Sequence, residues 1–166
     1  MKFTRLHPWR LDYEKAIQVQ ETLRDRLILK KPTGKMCTVA GADVSYDKQS
    51  DRFFAGVVVF KLGRHLERVE ERTAVGKARF PYIPGLLSFR EAPILLKVFT
   101  ELKITPDIIL FDGQGIAHPR HFGLASHLGL ILDRPSIGCA KTRLVGEYYC
   151  VKNIIGVYSK LFYKNE

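Results

Sequence analysis

Asp-Ile-Ile-Leu-Phe-Asp-Gly-Gln-Gly-Ile-Ala-His-Pro-Arg-His-Phe-Gly-Leu-Ala-Ser-His, residues 107–127, begins as a buried strand and ends as chemistry. The apolar run Ile108, Ile109, Leu110, Phe111 leads straight into Asp112, and Gly113 and Gly115 follow at once. A carboxylate at the end of an apolar strand, beside glycine-rich backbone, is where an open α/β sheet places its ligands. The glycines allow positive φ and close approach of a ligand to the main chain. An Asp that only caps the turn after a strand fits the same pattern; the choice between the two rests on the rest of the chain.

Upstream, residues 36–46 (Met-Cys-Thr-Val-Ala-Gly-Ala-Asp-Val-Ser-Tyr) also read as a strand. Its period of two puts Val39, Gly41, Asp43 and Ser45 on one face, so Asp43 stands in mid-strand. A charge there is costly unless it is paired or bound to a metal, which favours a functional Asp43 over one facing solvent at a sheet edge. Asp47–Asp51 is a polar turn and Arg52–Phe60 a second strand; 65–75 has no clean period, and the meander favours a third strand over a short helix. Before these, 12–30 reads as a helix capped by Asp12 and stopped at Lys30-Lys31-Pro32-Thr33-Gly34. After them come a proline-stiffened loop at 80–91, a helix over 89–102, the strand ending at Asp112, a helix from Pro119 to Leu132, and a short strand over 135–140. Ser88 and Glu91 have capping-box spacing. A meander followed by alternating helices and strands predicts one mixed sheet flanked by helices, in a single α/β domain spanning 1–166.

Composition narrows the function. The chain has 166 residues and a net charge of +10, which predicts attraction to polyanions, nucleic acid first among them. No run approaches the ~18 apolar residues of a membrane span, and the first ten residues lack the apolar core of a signal peptide. The expectation is a cytoplasmic protein, monomeric and without a membrane partner. Cys37, Cys139 and Cys150 are odd in number and widely spaced, which predicts reduced thiols and no disulfide framework or zinc site.

Three carboxylates then stand out: Asp43 in mid-strand, Glu91 at a helix start, Asp112 at a strand end. If the strands of Asp43 and Asp112 are neighbours, their carboxylates converge. Hard oxygen ligands in a basic protein suit Mg²⁺ bridging to a phosphate, and Lys141, at the end of the next strand, can offset phosphate charge. His118, His121 and His127 lack cysteine partners for zinc; His118 is expected near the phosphate and the other two in packing or on the helix surface. Pro81 and Pro84 hold Tyr82 and Ile83 in a stiff prong able to wedge between bases, or else to plug the core. There is no Ser-His-Asp order and no phosphate loop of the Gly-x-x-x-x-Gly-Lys type.

Four segments together resemble the endonuclease V family: Val-Ala-Gly-Ala-Asp-Val-Ser-Tyr (39–46), Pro-Tyr-Ile-Pro-Gly-Leu-Leu-Ser-Phe-Arg-Glu (81–91), 111–129, and Pro-Ser-Ile-Gly-Cys-Ala-Lys-Thr-Arg-Leu-Val-Gly (135–146). The resemblance implies a ribonuclease H-like fold. It implies a DNA-repair enzyme that recognises deoxyinosine and cuts the second phosphodiester bond 3′ to it, leaving 3′-hydroxyl and 5′-phosphate ends. It implies Mg²⁺, with Mn²⁺ as a substitute, on Asp43, Asp112 and Glu91, with Lys141 and His118 beside them. It also implies a strand-splitting wedge at Pro81, Tyr82, Ile83 and Pro84, and a pocket for the flipped base built on Gly85, Leu87, Gly113, Gln114, Gly115 and Ile116. Some members prefer inosine in RNA. The likeness covers about 10–146. The tail 147–166 holds four of the seven tyrosines, and no His follows His127, whereas the family's ending carries a His near the metal. Intact metal ligands with weakened turnover are therefore expected, the alternatives being an inosine-binding protein that no longer cuts and an inosine-specific ribonuclease.

Overall fold

The computed structural model describes residues 1–47 and 49–164. Ten elements follow in order: α1 (Tyr13–Arg24), β1 (Thr38–Asp47), β2 (Arg52–Lys61), β3 (Glu67–Lys77), α2 (Leu87–Glu101), β4 (Ile108–Phe111), α3 (Leu124–Leu132), β5 (Ser136–Gly138), β6 (Glu147–Tyr148) and β7 (Leu161–Phe162). The first five strands form one sheet in the order β3-β2-β1-β4-β5, and β6 and β7 pair separately. β1 is antiparallel to β2, β2 to β3, and β4 runs parallel to both β1 and β5. The mixed sheet expected from the alternation of elements is present, and the 65–75 segment is its third strand.

Period-two burial explains the layering. On β1, Ala40 and Ala42 are buried while Asp43 and Ser45 lie on the other side; on β2, Phe53, Ala55, Val57 and Val59 are buried. Those side chains form one core with Leu95, Leu96 and Phe99 of α2, Ile109 and Phe111 of β4, and Leu128 and Ile131 of α3. Both helices therefore pack on the same face of the sheet, and the opposite face carries Asp43. β3 has no clean period because one glutamate faces inward: Glu70 accepts from the amides of Lys103 and Ile104 at 2.8–3.1 Å and pairs with Arg72 at 2.9 Å. No helix among the described residues is long and apolar enough to cross a membrane, and the three cysteines are unpaired.

Several boundaries differ from expectation. α1 stops at Arg24 because nothing covers the next apolar residues; Ile28 and Leu29 are 81% and 71% exposed. The helix expected from Pro119 starts at Leu124, because 116–121 forms tight turns and His121 takes a positive φ of 53°. α2 begins one residue before Ser88, so Pro93 lies inside it and the capping box does not form. Lys48 of the expected polar turn lies outside the described residues.

The hydroxyl of Ser88 instead closes a buried relay. The Pro8 carbonyl can only accept, so His7 donates to it from Nδ1 at 2.8 Å. His7 Nε2 must then accept from His127 Nε2–H at 2.7 Å, and His127 Nδ1 accepts from Ser88 Oγ–H at 3.0 Å. Burial lowers the pKa of both imidazoles, that of His127 to about 3. The relay ties the N-terminal arm to α2 and α3 with both rings neutral.

The core is placed to respond to truncation in the usual way. Phe99 is fully buried with its ring 5.9 Å from that of Phe111. Phe99→Ala is expected to lower unfolding free energy by about 3–5 kcal/mol, read as a fall in the urea midpoint with the slope of the transition unchanged.

Candidate active site

The parallel pairing of β1 with β4 is what assembles the acids. Ala42 is the register partner of Phe111, and the Asp112 amide continues the ladder by donating to the Ala42 carbonyl at 3.1 Å. Asp43 and Asp112 are thus next in register on adjacent strands, and period two turns both to the face opposite buried Ala42 and Phe111. Asp43 is exposed and accepts from the Val44 amide at 2.7 Å; the Asp112 side chain is 29% exposed.

Glu91 completes the cluster from the second turn of α2. Freed of any capping duty, its carboxyl is largely buried, and burial together with the charges of Asp43 and Asp112 pushes its pKa up to about 7, against a smaller opposing pull from Arg90. Three hard oxygen donors, one of them holding its proton and one paired with an ammonium, are the donor types that a divalent cation favours. Among the described residues, no three such side chains already close into a ready-made ligand cage; the positive charge at this edge is an ammonium. Lys141 Nζ lies 2.6 Å from Asp112 Oδ2, with its side chain 82% exposed. That hydrogen bond and the two aspartates raise the Lys141 pKa. Its loop is held by Gln114, whose side-chain amide donates to the Thr142 carbonyl at 2.8 Å.

The wedge loop divides its side chains between solvent and core. Tyr82 is 70% exposed and Pro81 is exposed, but Ile83 packs inward with Phe80, Leu86, Phe89 and Ala16. The two side chains thus point different ways, the aromatic into solvent and the aliphatic into the small core. Of the residues expected around a base, Leu87, Gly113, Gln114 and Gly115 are half-buried and Ile116 is 50% exposed.

The segments 80–87 and 113–122 are joined at a single carbonyl. Gly85 O accepts from Gln20 Nε2 at 3.0 Å, His118 Nε2 at 2.9 Å and Arg120 Nη2 at 2.7 Å. Gly85 has φ +78°, and a Cβ there would lie 2.9 Å from Arg120 Nη2, so the position suits glycine alone. Gln20 also donates to the Phe122 carbonyl at 3.0 Å and accepts from Arg120 Nε at 2.6 Å. The sequence places His118 near the phosphate. In the structure its Nδ1 accepts from the Arg120 amide at 3.2 Å while Nε2 is spent on Gly85. Burial and the Arg120 charge lower its pKa to about 4, so it is a neutral fastener at physiological pH. Gln20 lies outside every motif, and Arg120, though inside the 111–129 segment, carries no chemical signature there. The available signal is a glutamine between Ala16 and Leu23 on the buried stripe of α1, where a polar side chain needs a reason.

A five-stranded mixed sheet whose adjacent parallel strands carry paired aspartates, with a glutamate on the helix that leads into the second of them, is a ribonuclease H-like arrangement. The endonuclease V family profile matches residues 21–166, taking in the tail beyond the four motifs. Endonuclease V of Dehalococcoides mccartyi is 45% identical over 166 residues, covering 100% of this chain and 74% of that protein. The endonuclease V structure from Streptomyces avermitilis superposes with a TM-score of 0.88 at 41% identity, over 95% of this chain and 70% of that one. That of Ciona intestinalis, in complex with DNA containing an inosine followed by a ribo-adenosine, gives 0.72 at 31% identity, over 80% and 59%. The chain belongs to the endonuclease V family, whose members are nucleases acting on phosphodiester bonds.

Two outcomes are expected. Because the folded pKa of Glu91 is raised from 4.5 to about 7, the native state binds more protons than the unfolded chain in that window, and its ionisation there costs stability. Glu91→Gln should therefore gain thermal midpoint over wild type progressively from pH 4.5 to about 7 and level off above, in metal-free buffer; a difference independent of pH would refute the assignment. Gln20→Leu leaves the Phe122 carbonyl and Arg120 Nε without their partner, and should cost about 1–3 kcal/mol in urea unfolding.

Proposed function

We propose that the chain is a divalent-metal-dependent endonuclease that nicks DNA containing deoxyinosine at the second phosphodiester bond 3′ to the lesion. The juxtaposition of Asp43 and Asp112 on the adjacent strands β1 and β4, with Glu91 of α2 near enough to feel both charges, carries the reading. Asp43, Asp112 and Glu91 would hold Mg²⁺, or Mn²⁺ in its place; when bound, the ion activates water and offsets charge on the phosphate. Cation binding would favour the ionised form of Glu91, its proton passing to solvent. Lys141 moves its ammonium from Asp112 to a non-bridging phosphate oxygen. A water oxygen attacks phosphorus as the P–O3′ bond breaks; one proton of that water ends on O3′ and the other stays with the new phosphate, leaving a 3′-hydroxyl and a 5′-phosphate. Tyr82 enters the stack at the lesion, where unpairing is cheapest, and the backbone of Gly85, Leu87 and Gly113–Gly115, with Ile116, receives the flipped hypoxanthine.

A second reading, cleavage of inosine followed by a ribonucleotide, is favoured by the ribo-adenosine next to the inosine in the Ciona intestinalis complex. Both readings are tested by offering Mg²⁺ and matched duplexes with inosine in DNA, inosine in RNA, or no inosine. One nick 3′ to inosine is expected, absent with Asp43→Ala and slowed about 100-fold or more with Glu91→Gln. Uncut inosine substrate at enzyme excess, or equal cutting of the plain duplex, would overturn the assignment; the ratio of the two inosine rates decides which backbone is preferred.

A further inference from the structure

At the entrance of the wedge loop, where Phe80 and Pro81 leave β3 behind, lies a cavity of about 1180 Å³. Its walls come from the N-terminal arm at 9–12, from Phe53, from the end of β3 and from the first turns of α2. This is larger than the ~300–1,000 Å³ of pockets that enclose one small ligand, and it opens beside the prong. None of the three acids lines it.

Its charge is one-sided. Arg10, Lys77, Arg79, Arg90 and Lys97 face it, against a single acid, Asp12. Asp12 is already spent, capping α1 through the Lys15 amide at 2.9 Å and pairing with Lys15 Nζ at 3.0 Å. Arg90 is also committed: it donates to the Phe80 carbonyl at 2.9 Å and lies 5.0 Å from the ring centres of Tyr46 and Phe53. Arg10, Lys77, Arg79 and Lys97 have no ion-pair partner among the described residues. Four unpaired cations drawn around one trough repel one another until a polyanion joins them.

The floor tells which polyanion. It is apolar, with Trp9, Pro93 and Ile94 and, 53% exposed, Val75. A free phosphate needs donors and gains nothing from such a floor. A nucleic-acid strand brings phosphates for the rim and base faces for the bed, the combination used by single-strand grooves.

We propose that this groove is a binding site for the undamaged strand: as Tyr82 parts the duplex, the strand opposite the lesion passes Pro81 into the trough, where Arg10, Lys77, Arg79 and Lys97 hold its phosphates. The inference rests on the strand-parting role proposed for the loop. It gives the loop two sides, with the lesion strand toward the acids and its complement toward the cations.

The test is the triple variant Lys77→Glu/Arg79→Glu/Lys97→Glu, with Arg79→Ala/Lys97→Ala as a milder second. An unchanged thermal midpoint verifies the fold. Binding is measured by fluorescence anisotropy on a labelled single strand without inosine and on a fork whose free arm is the undamaged strand. A tenfold or greater loss on both is expected for the triple variant and a smaller loss for the double. The log–log salt slope should be shallower by roughly 2, at about 0.7 for each phosphate no longer neutralised. In nicking assays, KM for inosine in a duplex should rise several-fold with kcat unchanged, while KM for inosine in a lone single strand stays put. An equal rise on both substrates would reduce the groove to general basic attraction and overturn the proposal. So would polyglutamate displacing the strand from wild type as well as an unlabelled oligonucleotide of the same charge. If wild type binds the fork through these residues yet nicks nothing, the nuclease reading fails and the groove stands. If wild type nicks inosine and the triple variant binds and nicks as it does, the groove alone fails.

Discussion

The candidate site of this molecule depends on the register between β1 and β4. Two parallel strands locked by Ala42 and Phe111 in the core place Asp43 and Asp112 side by side on the opposite face. The apolar layer beneath holds that pairing together, and Glu91, buried first and then pressed by the charges of Asp43 and Asp112, retains its proton to about pH 7. A slip of one residue in the ladder would turn one aspartate into the core. Packing therefore holds three carboxyl groups nearer to one another than they would sit in water.

The second constraint is the fastening of the proline-stiffened loop at 80–87. Arg90 grips its entrance at the Phe80 carbonyl, and Gln20, His118 and Arg120 share its exit at the Gly85 carbonyl. Ile83 anchors the middle in a small core with Phe80, Leu86, Phe89 and Ala16 of α1. Tyr82 is thereby held out on a clamped frame, and a rigid side chain loses less entropy on engaging any partner than one on a free loop does. The buried relay from Pro8 through His7 and His127 to Ser88 secures the N-terminal arm behind it. These bonds span up to 120 residues of sequence, so the loop's position is a property of the whole fold.

Much of this is legible in the chain. Alternation on 36–46 sets Asp43 apart from the core face, the apolar run 108–111 delivers Asp112 to a strand end, and the prolines at 81 and 84 mark a stiff loop. Period and turn chemistry are local, and local signals survive in a linear string. Expectation and structure part where long-range interactions override local preference. Ser88 and Glu91 have capping spacing, but His127 takes the hydroxyl. His118 has the look of a catalytic group, but the fold spends both its nitrogens on the loop. The helix over 12–30 ends early because no partner covers Ile28 and Leu29.

The acids, the mixed α/β class and the family can be read before folding, because strand periodicity, glycine placement and motif spacing are written in neighbouring residues. That Glu91 leans toward neutrality, that Gln20 and Arg120 fasten the 80–87 loop, and that cations from the N-terminal arm, β3 and α2 meet in one groove comes from the folded molecule alone. Those properties arise from desolvation and from distances between residues far apart in the chain, and neither exists until the chain has folded.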